Sequence, residues 1–192
     1  MKEVLDSYIR TKVKHPSESE LLEILDIFEP KKLKKKEFVK RPFTIGKELG
    51  FLTSGSVRGA FYKENGEETT FRILQEGSFI GDAIGVRTQT ATPIGFDCIS
   101  DIEILTAPIE KVHKLLESNL AMNIVMREYI TDNAIEMGRR HLLFLTGSAK
   151  ERYLFLLENK PKLLKKFPLR LIASMIGITP TQLSRIRNKN SD

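Results

Sequence analysis

Thr181, Ser184, Arg185 and Asn188 recur at i, i+3, i+4 and i+7 near the carboxyl end. On a helix, residues at that spacing share one face. Hydroxyl, guanidinium and amide groups gathered there suit the base edges of a DNA groove. An Arg at position 185 can bond a guanine O6/N7 edge bidentately, and Asn188 can bond adenine. Arg187, Lys189, Arg170, Lys165 and Lys166 flank the face and suit phosphates. The chemistry on offer is recognition of a polyanion, not bond making.

The segment LRLIASMIGITPTQLSRIRNK, residues 169–189, contains the elements that would present this face. A first helix over 169–176 turns Leu169, Ile172, Ala173 and Ile176 inward. Gly177 can take the left-handed conformation that ends a helix, and Ile178 plugs the turn. Thr179 is then the N-cap of a second helix, Pro180 sits at its first position, and Gln182 completes a capping box. Leu183 and Ile186 return to the core. This pattern is a helix-turn-helix.

Charge placement agrees with that reading. The 192-residue chain carries net +6. Residues 147–192 hold ten Lys/Arg against three Asp/Glu, whereas the rest is close to neutral. A cationic tail domain suits nucleic acid. The lone cysteine, Cys98, excludes an intramolecular disulfide and a Cys-ligated cluster, and fits a reducing cytoplasm. The amino terminus lacks the apolar stretch of a signal peptide. No apolar run reaches the ~18 residues of a membrane helix. No metal-ligand cluster, phosphate loop or nucleophile elbow points to an enzyme. His113 and His141 read as structural or solvated.

Upstream, Ser17 and Glu20 form a capping box before a helix through Leu21, Leu22, Leu25 and Phe28. Residues 31–42, KKLKKKEFVKRP, read as a lysine-rich edge strand. From about 43 to 108 glycine-punctuated β texture dominates. Asn65-Gly66 predicts a hairpin with a type I′ turn, flanked by Phe61, Thr69, Phe71 and Ile73. Phe96, Cys98, Ile102, Ile104 and Leu105 are candidate core.

After Pro108 the period becomes helical, with a short helix over 109–117 and a long one over 119–145 capped by Asn119. Ile130, Ala134, Met137, His141 and Phe144 recur at coiled-coil seam spacing. Val125, Tyr129 and Leu142 fall on other faces, free to pack on the β domain. A helix of ~27 residues spans ~40 Å, more than one small domain covers, so the seam predicts a homodimer. Thr146-Gly147-Ser148 reads as a hinge, with Ser148 and Glu151 capping the next helix. KLLKKFP then reads as a basic linker. The predicted organisation is 1–108 β domain, 109–146 helical linker and 147–192 DNA-binding domain.

The segments SGSVRGAFYKENGEETTFRILQEGSFIGD, ISDIEILTAPIEKVHKLLE and LIASMIGITPTQLSRIR resemble the Crp/Fnr family of bacterial regulators. The resemblance spans about 30–189. It implies an α+β fold: an antiparallel double-stranded β-helix (a jelly-roll-like β-roll of cyclic-nucleotide-binding type), a long dimerisation helix and a C-terminal, winged helix-turn-helix. It implies double-stranded DNA as partner, a homodimer, and RNA polymerase as a further candidate partner. Thr181 and Arg185 match family base-contact positions. Pro180 holds a third such position, where a polar residue is usual.

The ligand cassette departs from the family. Cyclic-AMP binders carry Phe-Gly-Glu and then Arg-Ser about ten residues on. Here the first is Ile80-Gly81-Asp82 and the second falls on Thr92-Pro93. Gly81, Asp82, Arg87 and Thr92 are the candidate pocket residues, with Arg87 a weak substitute for the missing Arg. A buried phosphate without its counter-charge is costly. The expectation is a regulator that does not answer to cyclic AMP, with no cofactor and no metal. Residues 160–168 and 190–192 leave little room for family-typical strands, which predicts a reduced wing or none. The alternative function is a small-molecule sensor whose C-terminal helices dock a protein.

Overall fold

A computed structural model describes residues 1–189. Its contacts divide the chain into two compact units. One is Met1–Glu68 with Arg72–Thr131, the other Thr69–Phe71 with the chain from Asp132 onward.

The strands form two four-stranded sheets. The first runs β1 (Glu29–Leu33), β8 (Ile102–Pro108), β3 (Glu48–Ser54), β6 (Phe79–Ile80). The second runs β2 (Phe38–Lys40), β7 (Ile94–Cys98), β4 (Ser56–Tyr62), β5 (Glu68–Gln75). Pairing is antiparallel, with Phe51 opposite Leu105 and Val57 opposite Cys98. Phe96, Cys98, Ile102, Ile104 and Leu105 are all buried, as the β pattern predicts.

Two β features differ from the sequence reading. Residues 31–42 do not make one edge strand. The chain turns at Lys36, with φ +76°, and feeds β1 and β2 into different sheets. Glu37 accepts from the Lys34 N–H at 2.6 Å and Asp101 from the Lys35 N–H at 2.9 Å, which fixes this turn. The Asn65-Gly66 hairpin exists, but not as a two-residue type I′ loop. Gly66 has φ +83° and Asn65 is not in the positive region. The Gly66 N–H donates to the Lys63 carbonyl at 3.0 Å and the Lys63 N–H to the Glu67 carbonyl at 2.8 Å. This is a three-residue loop whose last residue is left-handed. One positive φ then suffices, and Asn65 instead accepts from the Glu67 N–H.

Helices close this unit. The helix α1 (Lys2–Lys12) has no counterpart in the sequence reading; its Leu5 and Ile9 are buried. The helix α2 (Glu18–Ile27) carries the expected Ser17–Glu20 capping box. Leu21 and Phe28 are buried, whereas Leu22 faces out. Tyr8, Phe51, Phe79 and Tyr129 form a chain of tilted and edge-to-face rings 4.9 to 5.8 Å apart. Edge-to-face aromatic pairs at such spacing contribute beyond the area they bury. The Tyr129 hydroxyl donates to the Phe79 carbonyl at 2.6 Å, tying the long helix to the sheet beneath it. The short α3 (Ala83–Thr88) is another addition, capped by Asp82.

The helices α4 (Ile109–Ser118) and α5 (Leu120–Thr146) match the predicted pair. Asn119 accepts from the Met122 N–H at 2.9 Å, acting as the expected cap. Val125 is buried and Tyr129 half-buried, but Leu142 is exposed.

The second unit continues with α6 (Ala149–Asn159), α7 (Pro161–Lys166), α8 (Leu169–Met175) and α9 (Pro180–Asn188). Ser148 and Glu151 form the capping box of α6. The segment read as a basic linker is instead α7. Pro161 starts it at a position where no N–H is needed, and Leu163 and Leu164 are buried. Among the described residues, no strand follows β8.

Candidate nucleic-acid interface

The turn between α8 and α9 is built from three local devices. Gly177 has φ +67°. The Ile178 N–H donates to the Ala173 carbonyl at 3.0 Å and the Gly177 N–H to the Ser174 carbonyl at 3.1 Å. These two bonds form a Schellman motif, satisfying carbonyls that the helix end leaves open. Arg140 of α5 donates to the Met175 carbonyl at 2.9 Å. At the start of α9, Thr179 Oγ1 accepts from the Gln182 N–H at 3.1 Å, and Gln182 Oε1 accepts from the Thr179 N–H at 3.0 Å. The capping box and Pro180 at the first position are both as predicted.

Beneath the turn, Ile172, Ala173 and Ile176 are buried with Leu183, which is 1% exposed. Leu171 and Met175 join them, positions that the sequence reading left out. Leu169 and Ile186 are half-buried at the margin. A Cβ on Gly177 would lie 2.6 Å from Phe144 Cε1, so this glycine also admits a close side chain.

The outer face of α9 is polar and open. Thr179, Pro180, Thr181, Gln182, Ser184, Arg185, Arg187, Asn188 and Lys189 are all exposed. Lys165, Lys166 and Arg170 are exposed as well. The fold thus brings the candidate base-reading and phosphate residues into one helical unit.

The seam residues of α5 also lie outward. Ile130 is 60% exposed and Met137 66%, and Ala134 and His141 are exposed. Phe144 is half in use, with the Arg152 guanidinium 4.9 Å over its ring and Gly177 beside it.

The candidate pocket residues separate. Gly81 and Asp82 line a cavity of about 430 Å³ in the first unit, with Lys40, Gly50, Ile80, Phe96 and Thr106. Arg87 sits exposed at the end of α3 and is not among the cavity's lining residues. Thr92 donates a short hydrogen bond to Asp82. Asp82 also accepts from the Gly85 N–H at 3.0 Å. Lys40 completes the group, its Nζ 2.7 Å from Asp82 Oδ2. The same ammonium donates to Thr92 Oγ1 at 2.9 Å and to the Ile94 carbonyl at 2.7 Å. An ammonium has three donors, and all three are engaged. Burial opposes ionisation of Asp82, but Lys40, Thr92 and the Gly85 N–H outweigh it and hold the carboxyl below its ordinary range.

Lys40 is the residue that sequence reasoning missed, lost within a run of surface lysines. One signal was available. A buried Asp82 in the cassette needs a cation, and Arg87, at the exposed end of α3, does not supply it.

Among the described residues, no group of three or more His, Cys, Asp or Glu is placed to hold a metal. No helix among them is long and apolar enough to cross a membrane.

Residues 30–119 match the family described as the cyclic nucleotide-binding domain. No curated protein sequence matches the chain significantly. Solved structures do. CLP of Xanthomonas campestris is a c-di-GMP responsive global regulator linking cell-cell signalling to virulence gene expression. It is 14% identical, with a TM-score of 0.71, over 91% of this chain and 92% of that one. A CooA mutant from Carboxydothermus hydrogenoformans is 20% identical, with a TM-score of 0.70, over 91% and 85%. The catabolite activator protein of Thermus thermophilus is 17% identical, with a TM-score of 0.59, over 96% and 86%. The chain therefore has the fold of the Crp/Fnr regulators, the family its motifs resemble.

Proposed function

We propose that this protein is a sequence-specific DNA-binding transcription regulator of the Crp/Fnr type, acting as a homodimer. The observation that carries the reading is α9. Its polar face from Thr181 to Asn188 is exposed in full above the buried Leu183. A helix so presented fits a major groove. Thr181, Ser184, Arg185 and Asn188 read base edges, and Arg187, Lys189 and Arg170 hold phosphates. The exposed α5 face around Ile130, Ala134 and Met137 supports pairing with a second copy, which sets two α9 helices on successive half-sites.

Cyclic AMP is a poor effector on this reading. Lys40, the cation bonded to Asp82 at the cavity, spends every donor inside the protein, so a cyclic phosphate would have to rely on the exposed Arg41 and Lys47 of the cavity lining rather than on a buried counter-charge. A protein-docking role for α9 is disfavoured because the face lacks apolar anchors.

The experiment is selection of bound duplexes from a random DNA pool. Enrichment of a palindrome with half-sites about one helical turn apart is the expected result. Recovery of no preferred sequence at any salt concentration rejects the reading.

A further inference from the structure

Lys162, Lys165 and Lys166 stand at i, i+3 and i+4 on α7, so they share one face. All three are exposed, while Leu163 and Leu164 are buried on the other side. None of them makes an ion pair among the described residues, unlike Lys160, whose Nζ is 2.6 Å from Glu136 Oε1. Like charges at this spacing repel one another. The helix dipole favours the cations of the last turn, Lys165 and Lys166, but disfavours Lys162 in the first. Helix stability therefore accounts for Lys165 and Lys166 but not for Lys162, nor for the three charges as a set. An external polyanion does.

The place in the fold indicates which polyanion. The chain runs from Lys166 through two residues into α8, where Arg170 continues the cationic surface. The helix α8 packs directly on α9. A membrane-binding helix would instead offer apolar side chains to the lipid, and here the leucines are spent inward. Resting on the DNA-binding reading above, we propose that α7 is a phosphate clamp on duplex DNA. It supplies sequence-independent contacts from the segment that leads into α8.

The test uses the full chain and a random-sequence DNA duplex, with anisotropy measured across a salt series. Each phosphate contact contributes about 0.9 to the slope of log K against log salt. The K162Q/K165Q/K166Q variant should flatten the slope by about two to three and weaken low-salt binding by about tenfold or more. Lys→Arg at the same three positions should retain the slope. A glutamine triple with the wild-type slope, and an unchanged melting curve, overturns the clamp. So does a variant that loses only its binding to anionic phospholipid vesicles. The two readings fail separately: an enriched operator with an unchanged slope rejects the clamp alone, whereas a flattened slope without any enriched operator rejects sequence reading alone.

Discussion

Lys40 and Asp82 face each other across 2.7 Å, with 10% and 0% of their side chains exposed. One comes from an edge strand and the other caps α3, so the pair links β2 to the segment that forms the cavity wall. Thr92, at the entrance to β7, joins both.

Removing the cation alone should be costly. Lys40→Met leaves a buried carboxylate without its partner, which typically costs ~3–5 kcal/mol. Denaturant unfolding at neutral pH measures it. Equal stability of Lys40→Met and wild type there would show that the pair contributes nothing.

The same pair sets a pH dependence. The folded-state pKa of Asp82 lies below its ordinary 3.8. Its stabilising contribution is therefore complete above that ordinary value and is lost as pH falls through the lower, folded one. Asp82→Asn should lose stability at pH 7 and show a smaller further loss on acidification than wild type. Parallel stability curves across the acid range would contradict this.

Arg185→Ala should relax base preference at one operator position, at ~1–3 kcal/mol. Competition binding against single-base operator variants reads this out. Discrimination equal to wild type at every position would remove Arg185 from base reading.

Gly177→Ala forces a side chain into left-handed backbone, which costs roughly 1–2 kcal/mol. It also places a methyl 2.6 Å from Phe144. The melting temperature should drop, and operator binding should weaken because the angle between α8 and α9 is disturbed. Unchanged values for both would show that the turn tolerates repacking.

Met137→Glu places a charge on the exposed apolar face of α5. Sedimentation should show dimers for wild type and monomers for the variant, with a matching loss of operator affinity. A variant that remains dimeric excludes this face as the interface.

The helix-turn-helix was legible because each of its signals is local. Thr179, Pro180 and Gln182 specify a helix start within four residues, and Gly177 specifies the preceding stop. The capping boxes at Ser17 and Ser148 were legible for the same reason. The Phe96-to-Leu105 strands followed from apolar content. What stayed hidden depends on partners distant in sequence. Lys40 looks like any surface lysine until Asp82, 42 positions on, is placed against it. The turn at Lys36 depends on Asp101. The helix α7 was hidden by its lysines, because only two leucines mark its buried side. At the hairpin, Asn65-Gly66 allows two loop types, and the paired strand ends choose between them.

The two rims of the first sheet differ in kind. One is β1, where Pro30 offers no N–H and Lys31 and Lys32 stand exposed. The other is β6, only two residues long. Neither rim is a template on which another molecule's strand could extend a ladder.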